Sequence, residues 1–386
     1  MAGETFLHSV QWPIVCIGET LHLSGFIASG RSIMLKTLPH VYANGAIDQS
    51  FRTEDVKFSP SGRILAVVAT NGTIFLFAVD TRSRPIEITR CAVVNSTSLS
   101  SPHGVDFLRE DLIVVANRSA WVTFYRIPSV DEWQDHINVE PIHEMASKWF
   151  GPKSSTRLLE ERAVSLGAGS IRVHGKELFV SCNNSGTVTA HPYRLRNGTI
   201  ETGEGTIITA GLEIPDGVAL TRDGRWIAVS DHHKHRVLVY RRKSKTQSCV
   251  LSDPDLRFPH GLCFDPTGRL LYVADAGQRN IHVFAAMEGW DKPMDGSAGK
   301  RPAVKLAAFS KTKEATPEGV RDLEGGIKGI DVDPSGHVIA TTCRHQTLRF
   351  FKAKIKFADE HRPRANLPRN VFGTAQAFIS RVFSQE

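Results

Sequence analysis

The sequence predicts an all-β protein, a β-propeller of six four-stranded blades, from a repeated unit, the spacing of its copies and the turn chemistry inside each copy. The clearest copy spans residues 258–284, FPHGLCFDPTGRLLYVADAGQRNIHVF. Residues 261–264 are a short apolar strand, Pro266 and Gly268 hold turn positions, and residues 269–274 and 281–284 are further strands. The pattern returns from Thr53, Ser101 and Ile214, and in weaker form from Leu166 and Gly326. The residues just before the first strands are Glu54, His103, Ala168, Asp216, His260 and Lys328, spaced by 49, 65, 48, 44 and 68 residues. Copies about 40 to 50 residues apart, built from short strands, are the signature of propeller blades that cannot bury both faces alone.

Taken in order, residues 1–50 lack a clean copy, but residues 21–27 and 32–38 are strand-like. A ring must close, so residues 32–38 are expected as the outer strand of the sixth blade; the competing reading makes residues 5–50 a divergent seventh. Residues 86–94 and 201–210 supply fourth strands, while residues 128–163 and 287–324 read as insertions, where binding loops tend to sit. The propeller is thus expected over residues 1–352. Residues 353–386 follow as a basic linker and a C-terminal amphipathic helix, over 370–383, that packs on the propeller or makes a peripheral partner or membrane contact.

Composition narrows the function classes. The net charge of +7 could favour an anionic ligand. Without clustered Lys/Arg interleaved with aromatics, however, no nucleic-acid partner is expected. Six cysteines without a CxxC pair read as buried reduced thiols. No basic n-region opens the chain and no apolar run spans a bilayer, so a cytoplasmic protein without a transmembrane segment is expected.

Chain direction places the residue before each first strand and the loop after each second strand on one face. Glu54, His103, Asp216 and His260 therefore surround the channel mouth, with Ala168 and Lys328 in the remaining positions. Imidazole nitrogens and carboxylate oxygens converging from rigid elements are what a divalent metal site, zinc or calcium, needs. Lys328 neighbours Glu54 across the closure, where the two could neutralise each other. An outer rim is formed by Thr70, Asn117, Cys182, Asp231, Asp275 and Thr342, and the loop 232–236, HHKHR, on the same face reads as a solvated hairpin, with metal binding or titration near neutral pH by its imidazoles as the alternative.

The Pro-His-Gly and Pro-Asp-Gly starts, the Asp-Pro-Thr-Gly-Arg turn and the Leu-Tyr-Val-Ala-Asp strand resemble NHL-type and YVTN-type propeller repeats over residues 53–352. Peptidyl-hydroxyglycine amidating lyases of this kind place zinc-binding His in Pro-His starts, which His103 and His260 match. Gluconolactonase-like propellers place a metal-binding Asp in a Pro-Asp-Gly start, which Asp216 matches, with an early-blade Glu, for which Glu54 stands. The third His of the lyases is missing at Ala168 and Lys328, and the gluconolactonase Asn is only loosely met by Asn117 or Asn183.

Two functions follow. The first is a metal-dependent hydrolase or lyase of a small ester- or lactone-like substrate. In it Glu54, His103, Asp216 and His260 hold the ion, Lys328 stabilises developing negative charge, and Asp231 or Asp275 acts as general base. The second is a non-catalytic propeller scaffold that binds a protein partner.

Overall fold

The computed structural model describes residues 22–27, 31–42, 52–118, 122–145, 167–278, 280–286, 289–290, 304–307, 325–343 and 346–357. They form six sheets whose first strands contact one another in a closed ring, so the chain is a six-bladed β-propeller. Blade 1 comprises Thr53–Phe58, Ile64–Ala69, Thr73–Asp80 and Ile86–Asn95, and blade 2 comprises Pro102–Arg109, Leu112–Asn117, Val122–Arg126 and His143–Met145. Blade 3 runs Ala168–His174, Glu177–Cys182 and Thr187–Arg196, its last strand pairing with both Thr199–Thr202 and Thr206–Thr209. Blade 4 holds Val218–Leu220, Trp226–Asp231, Arg236–Arg241 and Thr246–Ser252; blade 5 holds Pro259–Phe264, Leu270–Asp275, Asn280–Ala285 and Val304–Ala307.

Blade 6 closes the ring with both ends of the described chain. Behind Gly329–Val332, Val338–Cys343 and Gln346–Phe357 lies Arg31–Leu38, paired from Arg31 opposite Phe357 to Leu38 opposite Phe350. His22–Ile27 adds a fifth strand. His22–Ile27 and Arg31–Leu38 thus belong to blade 6, and His40–Tyr42 pairs with Ile86–Asn95 of blade 1, which removes the seventh-blade reading. Residues 354–357, read from sequence as the start of a linker, continue the last strand, whereas the helix expected over 370–383 lies outside the described residues. His143–Met145 and Val304–Ala307 show that the two apparent insertions also supply fourth strands.

The second strands explain why the repeats are legible. ILAVVA, LLYVAD and VIATTC are buried at every residue. A strand covered by a neighbouring blade on each face reads as a continuous apolar run, not an alternating one. Each blade-to-blade interface holds its own apolar cluster, such as Val56, Val67, Phe77, Val338 and Phe350 between blades 1 and 6. Cys182, Cys249 and Cys263 are buried within these layers, and Cys343 is buried as well.

The first strands approach closely enough that glycine is required. A Cβ on Gly217 would lie 2.0 Å from the His260 carbonyl oxygen, and one on Gly261 would lie 2.5 Å from that of Lys328. Gly104 and Gly329 meet the next blade's backbone in the same way. Deeper in the channel, carboxylates bridge adjacent blades. Asp331 Oδ2 accepts the Phe58 N–H at 2.9 Å, Asp55 Oδ2 that of Val105 at 3.3 Å, and Asp106 Oδ2 that of Val173 at 2.8 Å.

Closure carries a stability prediction. Removing residues 1–38 unpairs Gln346–Phe357 and uncovers the apolar layer over Phe350, where each fully buried large apolar side chain stabilises by about 1.5–3 kcal/mol. The truncated protein is expected to lose its cooperative thermal transition; an unchanged midpoint in calorimetry would contradict the closure.

Candidate functional site

The ring at the channel mouth is built by irregularities placed at one position in several blades. Between first and second strands the ladder shifts register after Thr53, Pro102, Ala168 and Pro259. The residues that follow are Glu54, His103, Gly169 and His260. A β-bulge bends its strand and re-aims the extra side chain, here toward the channel. Blade 3 therefore presents Gly169, one residue beyond the Ala168 read from sequence. A Cβ there would fall 1.8 Å from Asn183 Oδ1, so the Asn183 side chain occupies the space that a blade 3 ring residue would fill.

A repeated clamp fixes the loops that deliver these residues. Asn117 Oδ1 accepts the Ser100 N–H at 3.0 Å, Asp231 Oδ1 the Glu213 N–H at 2.7 Å, and Asp275 Oδ2 the Arg257 N–H at 2.9 Å. Each donor lies three residues before His103, Asp216 or His260. The next residue on each rim, Arg118, His232 or Ala276, donates its N–H to the carbonyl of Ser101, Ile214 or Phe258 at 3.1, 3.3 and 3.0 Å. Those three residues have φ of 49°, 59° and 53°, and each precedes a proline. Left-handed backbone at a β-branched or aromatic residue costs on the order of 1–3 kcal/mol and persists only where its surroundings impose it.

Asp231 and Asp275 thus act on the ring through backbone. Asp231 Oδ2 also accepts Arg236 Nε at 2.8 Å. Asp275 receives the Gly277 and Gln278 N–H groups at 3.0 and 3.1 Å and His282 Nε2 at 2.9 Å. Both carboxylates are fully buried and serve loop geometry.

Glu54 is the hub of the ring. Its Oε2 lies 3.3 Å from His103 Nε2, 3.3 Å from His260 Nε2 and 3.2 Å from Lys328 Nζ, and its Oε1 is 2.5 Å from Arg52 Nε. Glu54, His103 and His260 are the residues, among those described, whose donor atoms converge as a metal ligand set would. Neither Glu54 oxygen, nor the Nε2 of His103 or His260, makes a hydrogen bond of acceptable geometry, although all are buried. Asp216 stands beside this group. Its Oδ2 is 3.8 Å from His260 Nε2 and 3.2 Å from His232 Nδ1, while Oδ1 accepts from Asn183 Nδ2 and lies 3.3 Å from Arg118 Nη2.

The electrostatics follow from these contacts. Burial opposes ionisation of Glu54, but the Lys328 ammonium and then His103 hold its carboxyl well below the ordinary range. Burial likewise opposes ionisation of Asp216, which His232, His260 and Arg118 keep strongly lowered. Burial, with Lys328 beside it, pushes the His260 imidazole down to about 4, so it is neutral at pH 7. His103 Nδ1 lies 2.5 Å from the Gly169 carbonyl oxygen, which can only accept, so Nδ1 carries the proton and Nε2 faces Glu54.

Arg52 and Arg118 escape sequence reasoning, and Asn183 and His232 take places other than those it gave them. Arg52 and Arg118 carry no marker beyond their places near Glu54 and Asn117. Asn183 stands in for a missing ring side chain, a substitution that only the fold reveals. His232 lies in the segment read as a solvated hairpin, yet it is buried against Asp216 and the Pro259 carbonyl oxygen, which Nδ1 approaches at 3.2 Å.

The clamp is tested by Asp275→Ala, which strands the Arg257 N–H and His282 Nε2 in a buried site and removes the side-chain acceptor of Gly277 and Gln278, whose N–H groups also reach the Arg257 and Asp275 carbonyl oxygens. A loss of about 3 kcal/mol in denaturant unfolding is expected, with a smaller loss for Asp275→Asn, which keeps one acceptor oxygen. Equal stability of Asp275→Ala and wild type would remove the clamp.

No protein-family profile matches the chain, and no curated protein matches it. Among solved structures it is similar to a chain in the crystal structure of a mitotic checkpoint complex. That likeness has a TM-score of 0.50 at 12% identity and covers 91% of this chain and 96% of the other. At that identity the likeness is one of fold alone: the chain shares the propeller architecture.

Proposed function

We propose that the protein is a non-catalytic propeller scaffold that binds a protein partner through its loop faces, with the Glu54 ring as an internal pin. The carrying observation is that the groups on which acid–base chemistry would depend already have structural partners. Asp231 and Asp275 hold backbone donors, Lys328 pairs with Glu54, and Asp216 pairs with His232, Arg118 and Asn183. Two cations on Glu54 also compensate its charge, so its carboxylate presents no unbalanced negative charge to a further ion.

A second reading, a metal-dependent hydrolase or lyase of a small ester- or lactone-like substrate, is favoured by one specific observation. With its proton on Nδ1, His103 points a lone pair at the Glu54 carboxylate across 3.3 Å, an edge that calls for a second proton on His103 or a cation between them. Donor separations of 3.3 Å fit tetrahedral coordination, in which bonds of about 2.1 Å set edges of about 3.4 Å. Two imidazole nitrogens and one carboxylate suit zinc over calcium, which prefers oxygen. Such an ion polarises a carbonyl or acidifies water when bound.

Elemental analysis and a panel of lactones and esters assayed with zinc or calcium supplied separate the two readings. The scaffold reading expects no turnover above the buffer blank and a metal content unchanged in His260→Ala. Turnover lost in His260→Ala together with stoichiometric metal would overturn it.

A further inference from the structure

The face opposite the Glu54 ring, formed by the turns between first and second strands, has a basic groove that the sequence does not advertise. In blade 4 the turn at Thr221–Arg225 and the turn after Arg241 lie side by side, because the Arg242 N–H donates to the Arg225 carbonyl oxygen at 2.9 Å. The fold thereby gathers Arg222, Arg225, Arg241, Arg242, Lys243 and Lys245, and the neighbouring turn of blade 5 adds Arg269. These seven basic residues match in number the net charge of the whole chain, +7.

Arg222, Arg225 and Arg269 are exposed and line a cavity of about 560 Å³ between blades 4 and 5, over a floor that includes Trp226 and Trp290. None of the three makes an ion pair among the described residues. Among the described residues the carboxylate that lines the cavity is Asp223, and it is turned into its own loop, where Oδ1 accepts from Thr221 Oγ1 at 2.6 Å and from the Arg225 N–H at 3.0 Å. By contrast, Arg242 pairs with Glu177 and stacks over Phe179, and Arg241 lies 5.4 Å over the Trp226 ring. The groove thus has a fixed, partly engaged basic wall and three arginine forks that make no ion pair among the described residues, although the Arg225 charge also acts on Asp223.

We propose that this groove docks an acidic peptide segment of a partner protein. The proposal rests on the scaffold reading above and supplies the chemistry of its partner. Planar guanidinium forks suit carboxylates held bidentately, and two blades supply them from separate rigid turns. The surroundings disfavour nucleic acid. Trp226 and Trp290 are 5% and 1% exposed, so no indole is free to stack a base. Toward the channel axis a second cavity, of about 380 Å³, shares Arg222 but is lined by Asp106, Asp265, Asp331 and Asp333, which ends the positive field within a short distance. A long polyanionic backbone would run into those carboxylates, whereas a short acidic segment lying along blades 4 and 5 would not.

Fluorescence anisotropy with the full-length protein tests this, using a short fluorescein-labelled Glu/Asp-rich peptide, a Lys-rich peptide and a single-stranded DNA of equal length. The acidic peptide is expected to bind, more weakly as salt rises. The triple variant R222E/R225E/R269E should lose at least about tenfold in affinity, with its thermal midpoint kept because the residues are exposed. R82E/R84E, which changes charge on a blade 1 turn lining a separate cavity, should bind as wild type. No binding of the acidic peptide, equal binding by the triple variant, or tighter binding of DNA would each overturn the proposal. None of these outcomes touches the turnover test of the scaffold reading, so the two fail separately.

Discussion

Glu54 carries a fully buried negative charge at the point where blades 1, 2, 5 and 6 meet. Its carboxylate touches Arg52 on its own blade, His103 on blade 2, His260 on blade 5 and Lys328 on blade 6. An isolated carboxylate in such a place costs several kcal/mol, so the cations and imidazoles around it are a condition of its ionisation. Because these partners come from separate blades, satisfying one charge also sets how the blades stand relative to one another. Lys328 and Glu54 meet across the joint that Arg31–Leu38 closes at the outer edge. The ring is thus tied at its axis by charge and at its rim by a strand.

Bringing those side chains to one point requires backbone that strands do not adopt by themselves. The bulges at Glu54, His103, Gly169 and His260 re-aim residues that would otherwise alternate between blade faces. Ser101, Ile214 and Phe258 absorb the remaining distortion as left-handed residues before proline. The Asn117, Asp231 and Asp275 carboxyl and amide oxygens hold that distortion in place through the N–H groups of Ser100, Glu213 and Arg257. Asp231 and Asp275, expected from the sequence as candidate general bases, hold backbone donors of the ring loops in the structure.

The six blades are legible in the sequence because each second strand is sandwiched between neighbours and so reads as an unbroken apolar run, and because Pro and Gly mark the turns. The close approach at Gly104, Gly217, Gly261 and Gly329 is legible for a similar reason: the same residue recurs at the same point of the repeat. The ring residues Glu54, His103 and His260 follow from repeat position alone, as does the pairing of Glu54 with Lys328. What repeat position cannot reveal is a change of register. Blade 3 moves its ring position from Ala168 to Gly169, and Asn183 fills the gap from the following turn. The burial of His232 is hidden for another reason, since a run of His and Lys looks solvated until Asp216 is seen to lie against it. The basic groove depends on two turns separated in sequence and joined by the Arg242-to-Arg225 hydrogen bond.

The most direct measurement of this account is a double-mutant cycle on Glu54 and Lys328 by denaturant unfolding in the presence of a chelator. Glu54→Gln keeps the shape of the side chain but leaves Lys328 and Arg52 as cations without their carboxylate, and should cost about 3–5 kcal/mol. Adding Lys328→Met to Glu54→Gln should restore part of that loss, with a coupling of at least about 1 kcal/mol. A Glu54→Gln protein as stable as wild type, or two substitutions that simply add, would contradict a propeller tied at its axis by the Glu54 charge.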